Sequence, residues 1–181
     1  MPSNPYDAKG LLKSAIRDNN PVVFLEHKKT YRLVRGEVPD REYLLPIGKA
    51  DVKRLGTNVT VVSYGLMVHY CLEAAEVLET EGISVEVIDL RTLKPLDSET
   101  ILESVKKTAK LLVVHEANLT CGVGAEVAAL VADRAFEYLD GPITRLCGED
   151  IPAMPFAITL EEAYMPNTEK VSEALRTLVA Y

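Results

Sequence analysis

Short β-branched runs alternate with stretches of helical periodicity from residue 58 to the C-terminus, and this alternation restricts the fold more than any other feature of the chain. The apolar runs lie at 58–63, 84–90, 110–115 and 143–146. Helical spacing of apolar residues predicts helices at about 67–82, around 101–105, at about 124–139 and at 171–179. Short strands that alternate with helices form right-handed βαβ units. The sequence therefore predicts a doubly wound α/β fold, with a mostly parallel sheet and helices on both faces.

The first 57 residues follow a different pattern. Asn4 as the N-cap and Pro5 in the first turn predict a helix that ends at the run Asp18-Asn19-Asn20-Pro21, because proline and its predecessor resist α geometry. The run 22–25 predicts a short buried strand. Residues 28–57 are rich in charge, glycine and proline, so we expect an extended connector with a short strand or two, and a domain boundary within it.

Length, charge and cysteine content exclude several classes of protein. A chain of 181 residues suits one domain, or one domain plus a fragment of another. The net charge of −7 argues against a nucleic-acid-binding surface, and no stretch approaches the length of a membrane span. The three cysteines form no C-x-x-C pair, which indicates reduced thiols, and no secretory signal is present. We expect a cytoplasmic protein.

The stretch VVHEANLTCGVGAEV, residues 113–127, combines a strand, a glycine turn and the start of a helix. This is the context of a dinucleotide fingerprint, but Val127 occupies the third glycine position, so we favour a plain connection over a phosphate cradle. His115 ends the strand at the edge where parallel sheets gather ligands. Because no nucleophile or metal set accompanies it, a polar interface role is favoured over a catalytic one.

Two aspartates complete the survey of single residues. Asp89 ends a strand, as the phosphorylated aspartate of a receiver domain does, but the acidic pair that such a domain needs after its first strand is missing. The receiver interpretation fails on that point. Asp97 is most simply the N-cap of the following helix.

The end of the first helix groups oxygen atoms. Carbonyls near Ala15 have no intrahelical partners, and Asp18 and Asn20 add side-chain oxygens directly afterwards. Hard cations prefer such oxygens. A cation site and a solvated turn are both open interpretations of this pattern.

Four segments, in order along the whole chain, resemble one family. They are PYDAKGLLKSAIRDNNPVVFLEHKKTYR, LPIGKADVKRLGTNVTVVSYGLMVHYCLEAAEVLETEGISVEVIDLRTLKPLD, VVHEANLTCGVGAEVAALV and YMPNTEKVSEAL. They are similar to the β subunit of the decarboxylating component of pyruvate and branched-chain 2-oxo acid dehydrogenase complexes. The resemblance implies a transketolase-like arrangement, in which residues 1–30 end a pyrimidine-binding domain, 31–55 form a connector and 56–181 form a transketolase C-terminal-like domain.

For function, the resemblance implies a subunit of a heterotetrameric oxidoreductase that decarboxylates a 2-oxo acid and passes the acyl group to a lipoyl group. The family's cofactor-activating glutamate and its acylation histidine lie upstream of the residues present here, and the α subunit holds thiamine diphosphate and magnesium. We therefore expect no catalytic or cofactor-binding residue in this chain, and no activity from the chain alone. The resemblance also implies potassium at Ala15, Asp18 and Asn20.

The implied partners are the α subunit, a second β subunit and the subunit-binding domain of the dihydrolipoyl acyltransferase, with no nucleic acid and no membrane. The helix after Gly124 has an apolar surface too broad for one neighbour, which is typical of a helix that packs on its own sheet and on a partner. Two alternatives stay open. One is another transketolase relative, such as deoxyxylulose phosphate synthase, and the other is a stand-alone α/β binding module.

Overall fold

The computed structural model describes all 181 residues and contains a single five-stranded sheet. The strands are β1 (Asp51–Arg54), β2 (Val59–Ser63), β3 (Val85–Asp89), β4 (Leu111–Asn118) and β5 (Thr144–Gly148), in the order β1-β3-β2-β4-β5. Strands β2 to β5 pair in parallel, while β1 runs antiparallel to β3 at one edge. The predicted mostly parallel sheet is therefore confirmed.

Helices cover both faces of this sheet. They are α1 (Pro5–Ile16), α2 (Thr30–Leu33), α3 (Met67–Glu79), α4 (Ser98–Thr108), α5 (Val123–Arg134), α6 (Ile158–Tyr164) and α7 (Thr168–Val179), with a 3-10 turn at Phe136–Tyr138. One apolar core lies between the sheet and α3 with α7, and the other between the sheet and α4 with α5. Every residue of β2 and β3 is buried, as expected of central strands covered on both faces. None of the helices has the length and apolar character needed to cross a membrane.

The chain reverses its winding direction between β2 and β4. The crossover through α3 places β3 on one side of β2, and the next crossover, through α4, places β4 on the other side. The carboxyl ends of β2 and β4 therefore mark the topological switch point, beside which doubly wound sheets usually bind their ligands.

Capping signals fix several helix ends as predicted. The Asn4 side chain accepts a 2.9 Å hydrogen bond from the N–H of Asp7, and the Asp97 side chain accepts one from Thr100. Gly82, at φ +79°, occupies the left-handed region just after α3, where glycine is favoured. These positions confirm the predicted starts of α1 and α4 and the end of the α3 segment.

Two predicted boundaries are wrong. The run 22–25 is not a buried strand, because none of the five strands pairs with it, and Val23 is 85% exposed. The helix predicted to reach residue 139 ends at Arg134, since the chain turns there and the N–H of Asp140 bonds to the carbonyl of Ala109 before β5 begins.

The connector region contributes to the sheet. β1 lies inside the predicted connector 31–55 and forms the antiparallel edge of the sheet. The short helices α2 and α6 were not predicted, because neither carries enough residues for a helical period to be visible. The division of the chain at residues 30 and 55 stays a prediction.

Candidate functional site

The carboxyl edge of the sheet is covered by the N-terminal residues, which a buried ion network holds in place. Asp7 in α1 has no solvent exposure, and its carboxylate accepts hydrogen bonds from Arg91 Nε at 3.0 Å and from Arg91 Nη2 at 2.7 Å. Arg91 Nη2 also donates to Asp51 at 2.8 Å, and Lys53 Nζ lies 3.2 Å from Asp7. This network joins α1, the edge strand β1 and the loop after β3.

The network determines the ionisation of its central carboxylate. Burial alone would raise the pKa of Asp7, but the hydrogen bonds and positive charges of Arg91 and Lys53 outweigh burial and hold the pKa of Asp7 below its ordinary value. Bidentate contact between a guanidinium and a carboxylate is among the stronger polar contacts in proteins. Asp7 is therefore a charged anchor for α1.

The turn after β3 aims Arg91 at α1. Arg91 has φ +55°, and its N–H donates to the Asp89 side chain at 3.0 Å. Asp89 is fully buried and accepts a hydrogen bond from the Ser3 hydroxyl, and burial raises the pKa of Asp89. The motif DLRTLKPLD thus anchors the N-terminal residues on the sheet. Asp89 serves this anchoring through its hydrogen bonds with Ser3 and Arg91.

A cavity of about 500 Å³ lies beside this anchor. Its walls are the end of α1, the extended segment 21–25, and the loop Arg91–Pro95. The three predicted cation ligands, Ala15, Asp18 and Asn20, all border this cavity. The structure therefore brings the predicted ligands together at the rim of one space.

The turn that follows α1 orders these oxygens through its own hydrogen bonds. The carbonyl of Ala15 accepts the N–H of Asp18 at 3.3 Å. One carboxylate oxygen of Asp18 accepts the backbone N–H of Asn20 at 2.8 Å and its side-chain amide at 3.0 Å, which lowers the pKa of Asp18. The chain has no group of three or more His, Cys, Asp or Glu side chains placed to hold a metal ion. Any cation here would be held by carbonyl, amide and single carboxylate oxygens.

His115 occupies the switch point and caps α5. Its imidazole is fully buried, its Nδ1 lies 3.0 Å from the carbonyl of Ala117, and its Nε2 lies 3.0 Å from the N–H of Gly124. Since the carbonyl can only accept, Nδ1 carries the hydrogen and Nε2 accepts from the first turn of the helix. The predicted interface role for His115 is wrong, because the ring is buried within its own fold.

The two glycines of the turn make room for this imidazole. A Cβ atom on Gly122 would lie 2.3 Å from the carbonyl oxygen of Asn118, and one on Gly124 would lie 2.7 Å from His115 Nε2. The N–H of Gly124 is already bonded to the histidine, so it is not free to hold a phosphate. These contacts agree with a structural connection and do not fit a phosphate cradle.

A second histidine contact was not predicted. His27 Nε2, on the chain between α1 and α2, lies 3.0 Å from the Glu116 carboxylate at the end of β4. Lys29 lies 3.5 Å from Glu161 in α6, in an exposed ion pair. The sequence gives no signal for these contacts, because their partners are separated by 89 and 132 residues.

An apolar groove with acidic and basic neighbours lies at the opposite edge of the sheet, beside β5 and α7. Its lining includes Pro142, Leu146, Glu173 and Leu178, together with Tyr181, which is 78% exposed. This groove combines apolar and charged side chains, which suits contact with a protein segment.

Comparison with known proteins places this geometry in a family. The family model of the transketolase C-terminal domain matches residues 48–171, from just before β1 into α7. The chain is 55% identical over all 181 residues to the 2-oxoisovalerate dehydrogenase subunit beta of Bacillus subtilis (strain 168). It is 51% identical over 181 residues to the pyruvate dehydrogenase E1 component subunit beta of the same organism.

The similarity covers this chain fully and its relatives partly. The matched region is 100% of this chain but 55% of each of the two relatives, so the chain spans about half their length. A solved structure described as a split gene transketolase in an inactive β4 tetramer is similar with a TM-score of 0.80, over 99% of this chain and 56% of that chain, at 25% sequence identity.

Proposed function

Since the chain belongs to the transketolase C-terminal domain family, we propose that it is the C-terminal part of the β subunit of a 2-oxo acid dehydrogenase. The observation that carries the proposal is identity of 55% and 51% over the entire chain to β subunits of a branched-chain and a pyruvate enzyme. Because both relatives are β subunits of 2-oxo acid dehydrogenases, they favour this function over that of a deoxyxylulose phosphate synthase. The second candidate is a stand-alone α/β binding module, for which the groove beside β5 and α7 would be the contact surface.

The proposed whole enzyme decarboxylates a 2-oxo acid on thiamine diphosphate and passes the acyl group to a lipoyl group. The cofactor supplies that chemistry. The residues described here do not fit its diphosphate, because the one glycine-rich helix start has its Gly124 N–H bonded to His115 and no acidic cluster is available for magnesium. The role proposed for this chain is therefore assembly of the subunits and not the chemical step.

Potassium fits the chain better than magnesium does. Ala15, Asp18 and Asn20 would supply carbonyl, carboxylate and amide oxygens, which hard cations with flexible coordination accept. Bound potassium would hold the turn after α1 against the cavity rim. Asp18 is the only charged member of this set, which suits a monovalent cation.

The proposed partners are an α subunit, a second β subunit and the subunit-binding domain of a dihydrolipoyl acyltransferase. The net charge of −7 favours a basic partner such as that domain. The groove lined by Tyr181 supplies an apolar surface beside Glu173. On α5, Ala129 and Ala132 are exposed, and Phe136 beyond its end is 71% exposed, which supports a second contact surface on that side of the molecule.

Light scattering after gel filtration tests this function. The chain would be run alone and mixed with the acyltransferase subunit-binding domain of the Bacillus subtilis branched-chain complex. We expect a complex with one such domain per two chains. Tyr181→Ala should weaken that complex by about tenfold if the groove forms the docking surface, since aromatic side chains often dominate interfaces.

A matched control separates docking from folding. Tyr31→Ala removes a tyrosine side chain of similar exposure, 66%, in α2 and should leave binding of the subunit-binding domain unchanged. A chain that stays monomeric and ignores the domain would favour the stand-alone module. Equal weakening by both variants would place docking elsewhere.

A further inference from the structure

Residues 39–46 of the connector form a strap that lies along α1. The Lys9 ammonium donates hydrogen bonds to the three consecutive backbone carbonyls of residues 39–41. Further along the strap, the N–H of Leu45 donates to the carbonyl of Gly10 at 3.4 Å. Both ends of the strap are therefore tied to the helix.

The side chains of the strap alternate in exposure, as in an extended segment that is packed on one side. Tyr43 and Leu45 are half-buried, while Leu44 between them is 50% exposed. The Tyr43 ring stacks on the Tyr6 ring with centroids 4.5 Å apart, and the Tyr43 hydroxyl donates to the Tyr6 carbonyl at 2.8 Å. The strap thus packs on α1 through alternate side chains as well as through its backbone.

Gly10 allows this close packing. Glycine weakens a helix interior relative to alanine, so a glycine inside α1 needs a structural reason. A Cβ atom on Gly10 would lie 2.6 Å from Leu45 Cγ and 2.9 Å from the Tyr43 ring. The absence of a side chain at this position therefore gives the strap its approach to the helix.

The strap also holds the last turn of α1, on both sides of Ala15. The Ser14 hydroxyl donates to the carbonyl of Leu45 at 2.5 Å, and the Arg17 guanidinium pairs with the Glu42 carboxylate. Ala15 has no polar side chain, so the direction of its carbonyl depends on how its neighbours hold the backbone. That carbonyl is one of the oxygens proposed above to bind potassium.

Beyond the strap, the chain continues directly onto the loop that follows β3. The N–H of Gly48 donates to the Thr92 hydroxyl at 3.0 Å, and the N–H of Ala50 donates to the Asp97 carboxylate at 3.1 Å. Residues 39–50 are therefore fixed on α1 at one end and on the sheet domain at the other. The end of α1 is held against a part of the molecule that is itself anchored.

We propose that residues 39–46 are a positioning strap, which sets the direction of the Ala15 carbonyl through Ser14 and thereby the affinity of this turn for potassium. This inference rests on the proposed function, in which Ala15, Asp18 and Asn20 bind that ion. Ligands that are held in place beforehand bind more tightly than ligands that binding must order. By thermodynamic reciprocity, bound potassium tightens the strap.

A potassium titration of thermal stability tests the strap. The melting temperature is measured as potassium chloride replaces sodium chloride at constant ionic strength, and the half-maximal potassium concentration is determined. Ser14→Ala removes the hydrogen bond to Leu45, and we expect that concentration to rise about three- to tenfold, the change that corresponds to one hydrogen bond. Ser14→Thr keeps a hydroxyl and should restore most of the wild-type value.

Ser172→Ala is the matched control. Ser172 is a serine in α7 whose hydroxyl donates to the carbonyl four residues earlier at 2.8 Å, and Ser14 makes the same contact in α1 at 3.0 Å. Ser172 has no hydrogen bond to the strap, so its loss should leave the half-maximal potassium concentration unchanged. Gly10→Ala, which displaces Leu45 without touching the last turn, should raise that concentration.

Amide hydrogen exchange gives the reciprocal readout. The Leu45 amide should exchange about threefold or more slowly in potassium chloride than in sodium chloride at equal ionic strength, because the ion stabilises the turn that the strap contacts. The Ile83 amide, which bonds to the Leu78 carbonyl at 3.0 Å in the turn after α3, should exchange equally in the two salts.

Two results would overturn the strap and leave potassium binding in place. They are an unchanged half-maximal concentration in Ser14→Ala, and an equal rise in Ser172→Ala. Absence of any potassium effect on the wild-type chain would overturn both the potassium site and the positioning role. The assignment to a 2-oxo acid dehydrogenase fails by a different measurement, absence of binding to the acyltransferase subunit-binding domain.

Discussion

His115 and Gly124 are joined by a 3.0 Å hydrogen bond, in which the imidazole Nε2 accepts from the Gly124 N–H in the first turn of α5. The other ring nitrogen, Nδ1, faces the carbonyl of Ala117, and Cys147 Sγ lies 3.2 Å from Nε2, so the neutral ring satisfies the Ala117 carbonyl and the Gly124 N–H at once. Protonation would place a hydrogen on Nε2 against the N–H and a positive charge at the positive end of the helix. This contact links the strand, the turn and the helix, and it makes the stability of the fold sensitive to acid.

Stability should therefore fall below neutral pH. Burial lowers the pKa of His115, although the Ala117 carbonyl and Glu116 oppose that effect and Arg145 adds to it. The histidine of the unfolded chain then binds a proton more readily than that of the folded chain. The contribution of neutral His115 to the free energy of unfolding is therefore complete above about pH 6.5 and is lost as pH decreases from there. The free energy of unfolding, measured with urea, should be lower at about pH 5.5 than at about pH 7.5, and His115→Asn should make this difference smaller. His69→Gln, at a half-buried histidine in α3, should leave it in place.

Adding one methyl group to the turn should displace the cap. Gly124→Ala places a Cβ 2.7 Å from His115 Nε2, which requires the buried ring to move, and we expect a loss of about 2–4 kcal/mol in the free energy of unfolding. Gly36→Ala is the control, because its Cβ would meet only Pro5 Cδ at an ordinary 3.7 Å. If the two substitutions reduced the free energy of unfolding equally, the imidazole would not be what excludes a side chain at position 124.

Removal of the Asp7 carboxylate, the centre of the ion network that anchors α1, should strongly destabilise the folded chain. Asp7→Ala leaves Arg91 and Lys53 partly buried beside a missing carboxylate, and removal of one partner from a buried pair typically costs about 3–5 kcal/mol. Glu42→Gln, in the exposed pair with Arg17, should leave the midpoint of urea unfolding nearly unchanged.

The same carboxylate adds a separate pH dependence in acid. The pKa of Asp7 lies below its ordinary value, so its contribution is complete above about pH 4 and is lost as pH falls through the folded-state pKa. Acid unfolding of Asp7→Ala should lack this component. An unchanged acid profile would mean that Asp7 does not stabilise the folded state through its charge.

Potassium should stabilise the chain more than sodium does. We expect a higher melting temperature in potassium chloride than in sodium chloride at equal ionic strength, because the Ala15, Asp18 and Asn20 oxygens would prefer the larger ion. Asp18→Ala should abolish the difference, while Asp133→Ala, at an exposed site in α5, should keep it. Identical melting curves in the two salts would favour the solvated turn.

The three thiols should react at very different rates. Burial raises the pKa of Cys71 to about 12 and that of Cys147 to about 11, whereas Cys121 is exposed. Because the thiolate is the reactive form, iodoacetamide should label the exposed Cys121 first, the half-buried Cys147 more slowly and the buried Cys71 only after unfolding. Cys121→Ser should remove the fast phase, and labelling of Cys147 as fast as that of Cys121 in the native chain would contradict the raised pKa of Cys147.

The fold was predictable because its main signals are local. The β-branched runs and the helical periods between them define parallel strands, and the caps at Asn4 and Asp97 fix helix starts within a few residues. The strand prediction at 22–25 failed for the complementary reason. An apolar extended run becomes a strand only when a neighbour pairs with it, and that neighbour is not encoded in the run itself.

The site was less predictable than the fold. The contact between Asp7 and Arg91 spans 84 residues, and no spacing rule connects an aspartate in the first helix with an arginine after the second parallel strand. The residues Ala15, Asp18 and Asn20 were accessible to sequence reasoning because they lie on one helix end. His115 was visible as a residue at the strand end, but its role depends on the position of Gly124 across the turn.

The separation of Asp7 from Arg91 also sets the order in which the molecule can assemble during translation. At about 5–20 residues per second, the 84 residues between them take roughly 4–17 s to emerge. Throughout that interval the Asp7 carboxylate lacks the Arg91 guanidinium that it binds in the folded chain. The helix α1 therefore gains its guanidinium partner only after the loop that follows β3 has been synthesised.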